Sequence, residues 1–128
     1  VDHRREPLTA MLSLTVAAAR AYGLHVLDGV YNAFDDAAGF EAQCRQGLAY
    51  GFDGKTLIHP CQIDICNAVF SPAPATIEWA EKVRAAFALT ENATKGAINV
   101  AGAMVERLHL EQAERVLALD AAIRASGD

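Results

Sequence analysis

The side chains able to do chemistry in this sequence are a few carboxylates, four histidines, three cysteines and one glycine-flanked lysine. Glu106 follows Gly102-Ala103-Met104-Val105 and stands where the last apolar-periodic stretch begins. A carboxylate at a helix start gains ~0.3–1 kcal/mol from the helix dipole. Glutamate is nevertheless a weaker amino cap than aspartate or serine, so capping leaves room for a general acid or base. Asp28 interrupts the apolar run His25–Tyr31 (HVLDGVY). If it points inward it must be paired, hydrated or hydrogen-bonded, because a lone buried carboxylate is very costly; structural and functional roles are equally open to it. His59 ends an apolar segment directly before Pro60, at the kind of strand end where α/β folds gather functional groups. An orienting or structural role outweighs proton transfer there. For Asp35 and Asp36, helix capping outweighs a functional role.

Other signals carry less. Gly54-Lys55-Thr56 resembles the end of a phosphate-binding loop, but the first glycine is replaced by Ala49. The context is also inverted, since the triplet follows a helix and opens a strand; a helix stop and strand start explains it better. His3, His25 and His109 stand at no metal-ligand spacing, with His3 read as a solvated terminus. Cys44, Cys61 and Cys66 lack a CxxC spacing and read as reduced, mostly buried thiols. The sequon Asn92-Ala93-Thr94 matters only in a secreted chain, which nothing in the sequence suggests.

These groups must be held by a small set of elements. A helix is expected over Glu6–Tyr22, stopped by Gly23, with Leu8, Met11, Leu12, Thr15, Val16 and Ala19 as its buried face. Strand His25–Tyr31, helix Asp36–Tyr50 (Phe40, Cys44 and Leu48 inward), strand Lys55–His59 and helix Gln62–Phe70 follow. This alternation implies parallel strands with right-handed crossovers. Two such strands do not make a sheet covered on both faces, so the chain reads as the back part of something longer. After the break Ser71–Ala75 come helix Pro74–Thr90, a small hairpin or irregular turn within Gly96–Val105, and a helix over Arg107–Ala125. Domains 1–72 and 73–128 are therefore expected.

Composition narrows the function classes. With 128 residues, 52 % apolar and 21 % charged, the chain suits an ordered globular domain. A net charge of −5 without a basic cluster argues against nucleic-acid or anionic-membrane partners. No run is long enough to span a bilayer, and no signal-peptide pattern opens the chain, so a cytoplasmic location is expected.

Taken together, GFDGKTLIHPCQI, NAVFSPAP with EWA, GAMVERLHLEQA and LDGVYNAFDDAAGF resemble one family over about Glu6 to Ile123. They are similar to the carboxyl-terminal part of the citrate lyase β-subunit and malyl-CoA lyase group, in the HpcH/HpaI aldolase superfamily. The resemblance implies an α/β fold: the last strands of a (β/α)8 barrel, then a mainly helical lid. It implies a carbon–carbon lyase acting on a 3-hydroxyacyl-CoA thioester of malyl-CoA or methylmalyl-CoA type, giving acyl-CoA and glyoxylate. The cofactor implied is Mg²⁺, with the CoA thioester and keto acid as substrates. The family's metal-binding carboxylates lie on earlier strands with no counterpart in this chain, so no metal ligand and no activity are expected of it alone. A homo-oligomer whose lid covers a neighbouring active site is also implied. Glu106 falls on the lid's acid/base carboxylate, commonly aspartate, while Asp28 and His59 are carried as substrate-binding candidates. Cys61 replaces a common serine. A malyl-CoA thioesterase of the same family and a non-catalytic helical assembly module are the alternatives.

Overall fold

The computed structural model describes residues 5–127; the expectation for His3 lies outside them. The chain divides into two compact units, Val1–Phe70 and Ser71–Asp128. It is α/β and mostly helical.

In the first unit, a short 3-10 turn at Glu6–Leu8 leads into α1 (Thr9–Ala21), and Gly23 takes the left-handed conformation at its end. β1 (Leu27–Asp28), α2 (Ala37–Tyr50), β2 (Gly54–Lys55) and α3 (Ile63–Phe70) follow, with a 3-10 turn at Pro60–Gln62 opening α3. β1 and β2 pair in parallel, Leu27 with Gly54 and Asp28 with Lys55, as the helix-separated spacing requires. Asp36 caps α2 by accepting the Gly39 N–H at 2.9 Å. Gly51 ends that helix at φ 96°, a conformation glycine adopts without steric cost.

Both strands are shorter than expected, and side chains explain the loss. The Val26 N–H is taken by Asp53 Oδ2 at 2.7 Å, and the Ile58 N–H by Gln62 Oε1 at 3.0 Å. A backbone donor satisfied by a side chain has no need of a ladder partner. Asp53 also receives Arg20 at 2.8 and 2.9 Å, which ties α1 to the entry of β2. α3 begins at Ile63 instead of Gln62 because the 3-10 turn occupies the preceding residues.

Burial corrects the expected faces. The core of this unit is Tyr31, Phe40, Cys44, Cys66 and Val69. Of the expected face only Val16 and Ala19 are buried, whereas Leu8 and Met11 are more than half exposed and Thr15 is also exposed. Leu48, also expected inward, is nearly half exposed, and Gly47 takes the buried α2 position. Helical spacing identifies an apolar stripe but does not supply the surface that would cover it.

The second unit consists of α4 (Pro74–Ala88), a hairpin of β3 (Ala97–Val100) and β4 (Ala103–Glu106), and α5 (Arg107–Ser126). α4 stops before Thr90 because Leu89 turns extended. The Gly96–Val105 segment is an antiparallel hairpin joined by Ala101-Gly102. Ala80, Val83 and Phe87 of α4 pack with Ile98, Val100, Val105 and Ala113 into one core. Arg107 stacks over the Phe87 ring at 5.3 Å and donates to the Lys95 and Ala93 carbonyls, closing the loop before β3.

Ala101 is the only described non-glycine residue with positive φ, at 51°, and Gly102 follows at 88°. Two positive-φ residues joining two strands are the backbone of a type I′ turn, which prefers Asn-Gly. Asn99 Oδ1 supports the turn by accepting the Gly102 N–H at 3.0 Å. Replacing Ala101 by asparagine, which tolerates this region better, is expected to stabilise the second unit by about 1 kcal/mol. Thermal melts of the two chains check it, and an unchanged or lower midpoint would count against the turn assignment.

Candidate functional site

Asp28 and Lys55 face each other across the only rung of the ladder that buries charge. The Asp28 side chain is 1 % exposed and that of Lys55 is 0 % exposed, which leaves neither group access to bulk water. Lys55 Nζ donates to Asp28 Oδ2 at 3.0 Å, to the Gly29 carbonyl at 2.6 Å and to Gln43 Oε1 at 2.7 Å, filling all three donor directions. Arg5 Nη1 donates to Asp28 Oδ1 at 2.6 Å, and Arg5 Nε to Gln46 Oε1 at 3.0 Å. The Gly29 N–H also donates to Asp28 Oδ1 at 2.8 Å. Gln43 and Gln46 project from α2 beside Gly47, where an added Cβ would stand 2.9 Å from Asp28 Oδ2. Glycine at 47 is what lets the helix approach the carboxylate.

The partners respond differently to this burial. For Asp28, burial raises the carboxyl's proton affinity, but the hydrogen bonds and charges of Arg5 and Lys55 more than offset it and hold it below the usual carboxylate value. For Lys55, burial lowers the ammonium, and Asp28 restores only part while Arg5 repels. The asymmetry follows from two cations serving one carboxylate. Asp28 is thus paired, as a buried carboxylate must be, and it is consumed by its partners. Arg5 Nη2 is the one buried side-chain nitrogen or oxygen among the described residues without a hydrogen-bond partner.

His59 lies exposed in extended conformation and caps the 3-10 turn, accepting the Cys61 N–H on Nδ1 at 3.2 Å. Its ring stacks on Phe34 with centroids 4.9 Å apart and planes 16° from parallel. Cys61 Sγ sits 3.0 Å from that Nδ1 and 3.3 Å from the Phe34 carbonyl. These residues line a cleft of ≈ 380 Å³ completed by Asp35, Phe40, Gln62 and Ile65. Gln62, 1 % exposed, spans both post-strand loops: it accepts from Ile58 N–H and donates Nε2 to the Tyr31 carbonyl at 3.0 Å.

Glu106 is exposed at the β4–α5 junction and is the amino cap of α5. It forms a capping box with His109, whose Nδ1 accepts the Glu106 N–H at 2.8 Å. While the Glu106 carboxylate makes no side-chain cap hydrogen bond, in keeping with glutamate's weakness as a cap, the well-formed hydrogen bond of the motif is the one to His109. That bond assigns His109 Nδ1 as an acceptor, so the ring proton sits on Nε2.

Asp28 and His59 belong to the first unit and Glu106 to the second. Sequence reasoning missed the buried role of Lys55, together with Arg5, Gln43, Gln46 and Gln62. One signal was present: each short apolar strand carries a single charge, and parallel strands set such residues opposite one another. Among the described residues no group of three His, Cys, Asp or Glu side chains could hold a metal ion. The carboxylate best shielded for such a task already serves two cations, so Mg²⁺ does not fit the residues present. Among the described residues no helix is long and apolar enough to cross a membrane.

Comparison with known proteins gives the class to which these elements belong. Residues 2–60 match the family model HpcH/HpaI aldolase/citrate lyase. The chain belongs to that family. It is 52 % identical over 121 residues to the (3S)-malyl-CoA thioesterase of Cereibacter sphaeroides (strain ATCC 17029 / ATH 2.4.9), covering 94 % of this chain and 42 % of the relative. It is 42 % identical over 109 residues to the human mitochondrial citramalyl-CoA lyase, covering 85 % and 32 %. Among solved structures, the protein CitE from Mycobacterium tuberculosis, in complex with magnesium, acetoacetate and coenzyme A, superposes with a TM-score of 0.73 at 29 % identity, covering 94 % of this chain and 46 % of that one. The chain spans less than half the length of these relatives.

The buried ion pair leads to a stability test. Lys55→Met leaves Asp28 with Arg5 as its one charged partner and is expected to cost about 3 kcal/mol in urea unfolding. Because the folded-state value of Asp28 is depressed, its contribution is whole above about pH 4, the unfolded-state value, and drains as pH falls through the lower folded value. Asp28→Asn is expected to remove this part of the acid sensitivity. Parallel denaturant titrations of the two chains across the acid range check it; equally steep losses in both would contradict the assignment.

Proposed function

We propose that this chain contributes to an enzyme acting on a malyl-type 3-hydroxyacyl-CoA thioester, with Glu106 as its proton-transfer group. The observation that carries the reading is 52 % identity over nearly the whole chain to a (3S)-malyl-CoA thioesterase. The same identity favours thioester hydrolysis over carbon–carbon cleavage, while the 42 % identity to citramalyl-CoA lyase supports cleavage as the second reading. The parallel β1–β2 pair is read as two strands of a larger barrel, and the second unit as its lid. Assembly into a homo-oligomer with the lid over a neighbouring site belongs to the same reading.

The chemistry of Glu106 suits both reactions. It is exposed and stands at a helix amino end, where β4 runs directly into α5. In hydrolysis such a carboxylate takes the proton of a water attacking the thioester carbonyl, and the CoA thiolate departs from the tetrahedral adduct. In cleavage it returns a proton to the acyl-CoA enolate. A metal ion held by such an enzyme would supply charge stabilisation for the developing oxyanion. His59 and the Phe34 cleft are assigned to substrate contact, and Asp28 to holding the strand ends through Lys55 and Arg5 instead of touching substrate.

The test is a chimera in which this chain replaces the segment it matches in the Cereibacter thioesterase, assayed with malyl-CoA. Release of free CoA with malate supports hydrolysis, and acetyl-CoA with glyoxylate supports cleavage. Glu106→Gln in the chimera is expected to lower kcat by about a hundredfold or more. Undiminished turnover in that variant would remove Glu106 from the mechanism.

A further inference from the structure

The cleft on the first unit, assigned above to substrate contact, also holds a thiol–imidazole pair whose proton chemistry the proposed thioester reaction does not use. Cys61 Sγ lies 3.0 Å from His59 Nδ1, within reach of direct proton exchange. The imidazole is fixed twice, by its near-parallel stack on Phe34 and by the Cys61 N–H that Nδ1 accepts. A nucleophile within hydrogen-bond reach of a base, with that base oriented by a further group, is the general arrangement of an activated nucleophile. Cys61 is exposed, whereas Cys44 and Cys66 are buried. Burial beside Cys66 also pushes the Cys44 thiol up to about 11, which leaves it protonated. Around the sulfur, Phe34, Phe40 and Ile65 make the cleft mostly apolar.

We propose that Cys61 is a covalent modification site for small, uncharged disulfides, with His59 as its base. As Cys61 Sγ attacks one sulfur of the reagent, its proton turns from the Phe34 carbonyl to His59 Nδ1, which releases the Cys61 N–H to receive it. The Sγ–S bond forms, the reagent's S–S bond breaks, and the departing thiolate takes the proton from the imidazole. One disulfide is consumed and one is formed, so no outside oxidant or reductant is needed. The aromatic and aliphatic lining selects a neutral, planar reagent over an anionic one, since Asp35 also borders the cleft. Occupation of Cys61 fills a cleft of ≈ 380 Å³ and is reversed by excess thiol.

The experiment uses the full chain and dipyridyl disulfide, with released thiopyridone followed by absorbance and the adduct located by mass spectrometry. One thiol per chain is expected to react quickly and two slowly, and Cys61→Ser is expected to abolish the fast phase. His59→Gln, which keeps an acceptor for the Cys61 N–H, is expected to slow that phase about tenfold or more, with unchanged circular dichroism. Should that variant lose its native spectrum, Phe34→Leu replaces it, since removing the stacking partner is expected to slow the same phase. A fast phase that survives Cys61→Ser, or that keeps its rate in a folded His59→Gln chain, overturns the proposal.

Discussion

The parallel contact between β1 and β2 depends on one buried charge pair, Asp28 with Lys55. Two residues per strand supply too little ladder hydrogen bonding to hold the strands together alone. The side chains do the rest. Lys55 Nζ bridges the Asp28 carboxylate, the Gly29 carbonyl and Gln43, so one ammonium joins both strands and α2. Arg5 and Gln46 extend the same network to the segment that leads into α1. Because Asp28 and Lys55 are both buried, removing one strands the other, and this makes the pair a constraint on register as well as a source of attraction.

The constraint has consequences at the strand ends. Holding Asp28 opposite Lys55 sets the start of both following loops, and Gln62 then fastens the two loops to each other through Ile58 N–H and the Tyr31 carbonyl. Phe34 and His59 are thereby brought into a stack, and Cys61 is delivered to the imidazole. The second unit obtains its rigidity differently. Its hairpin is held by an apolar core and by Arg107 over Phe87, and the strand runs directly into the helix at Glu106. A carboxylate at such a junction is positioned by backbone geometry on both sides.

Element order was legible from local signals: Gly23 and Gly51 as helix stops, Asp36 as a cap and a small hairpin before the last helix. Strand length was not legible, because Asp53 takes the Val26 donor from 27 residues away and Gln62 takes the Ile58 donor by folding back through a 3-10 turn. The exposed Leu8 and Met11 show the same limit, since helical spacing records an apolar face and not what covers it. For the candidate residues, the need of Asp28 for a partner followed from the cost of burying charge. The identity of that partner did not, since Lys55 read as an ordinary strand opening. Glutamate's weakness as a cap holds at Glu106, whose carboxylate makes no cap hydrogen bond, and the part not legible was that the His109 imidazole takes the Glu106 N–H.

What the sequence determined by itself was the order of elements, the family and the residues able to do chemistry, because glycine stops, caps, periodicities and motif phrases are written in neighbouring residues. What only the tertiary structure decided was which of those residues meet. Lys55 became the buried counter-ion of Asp28, and Cys61 the neighbour of the His59 imidazole. The physical reason is the same in each case. The energy of a buried charge or an oriented proton acceptor depends on groups brought within about 3 Å, and such proximity arises from register, helix approach and loop closure over sequence separations that local spacing does not encode.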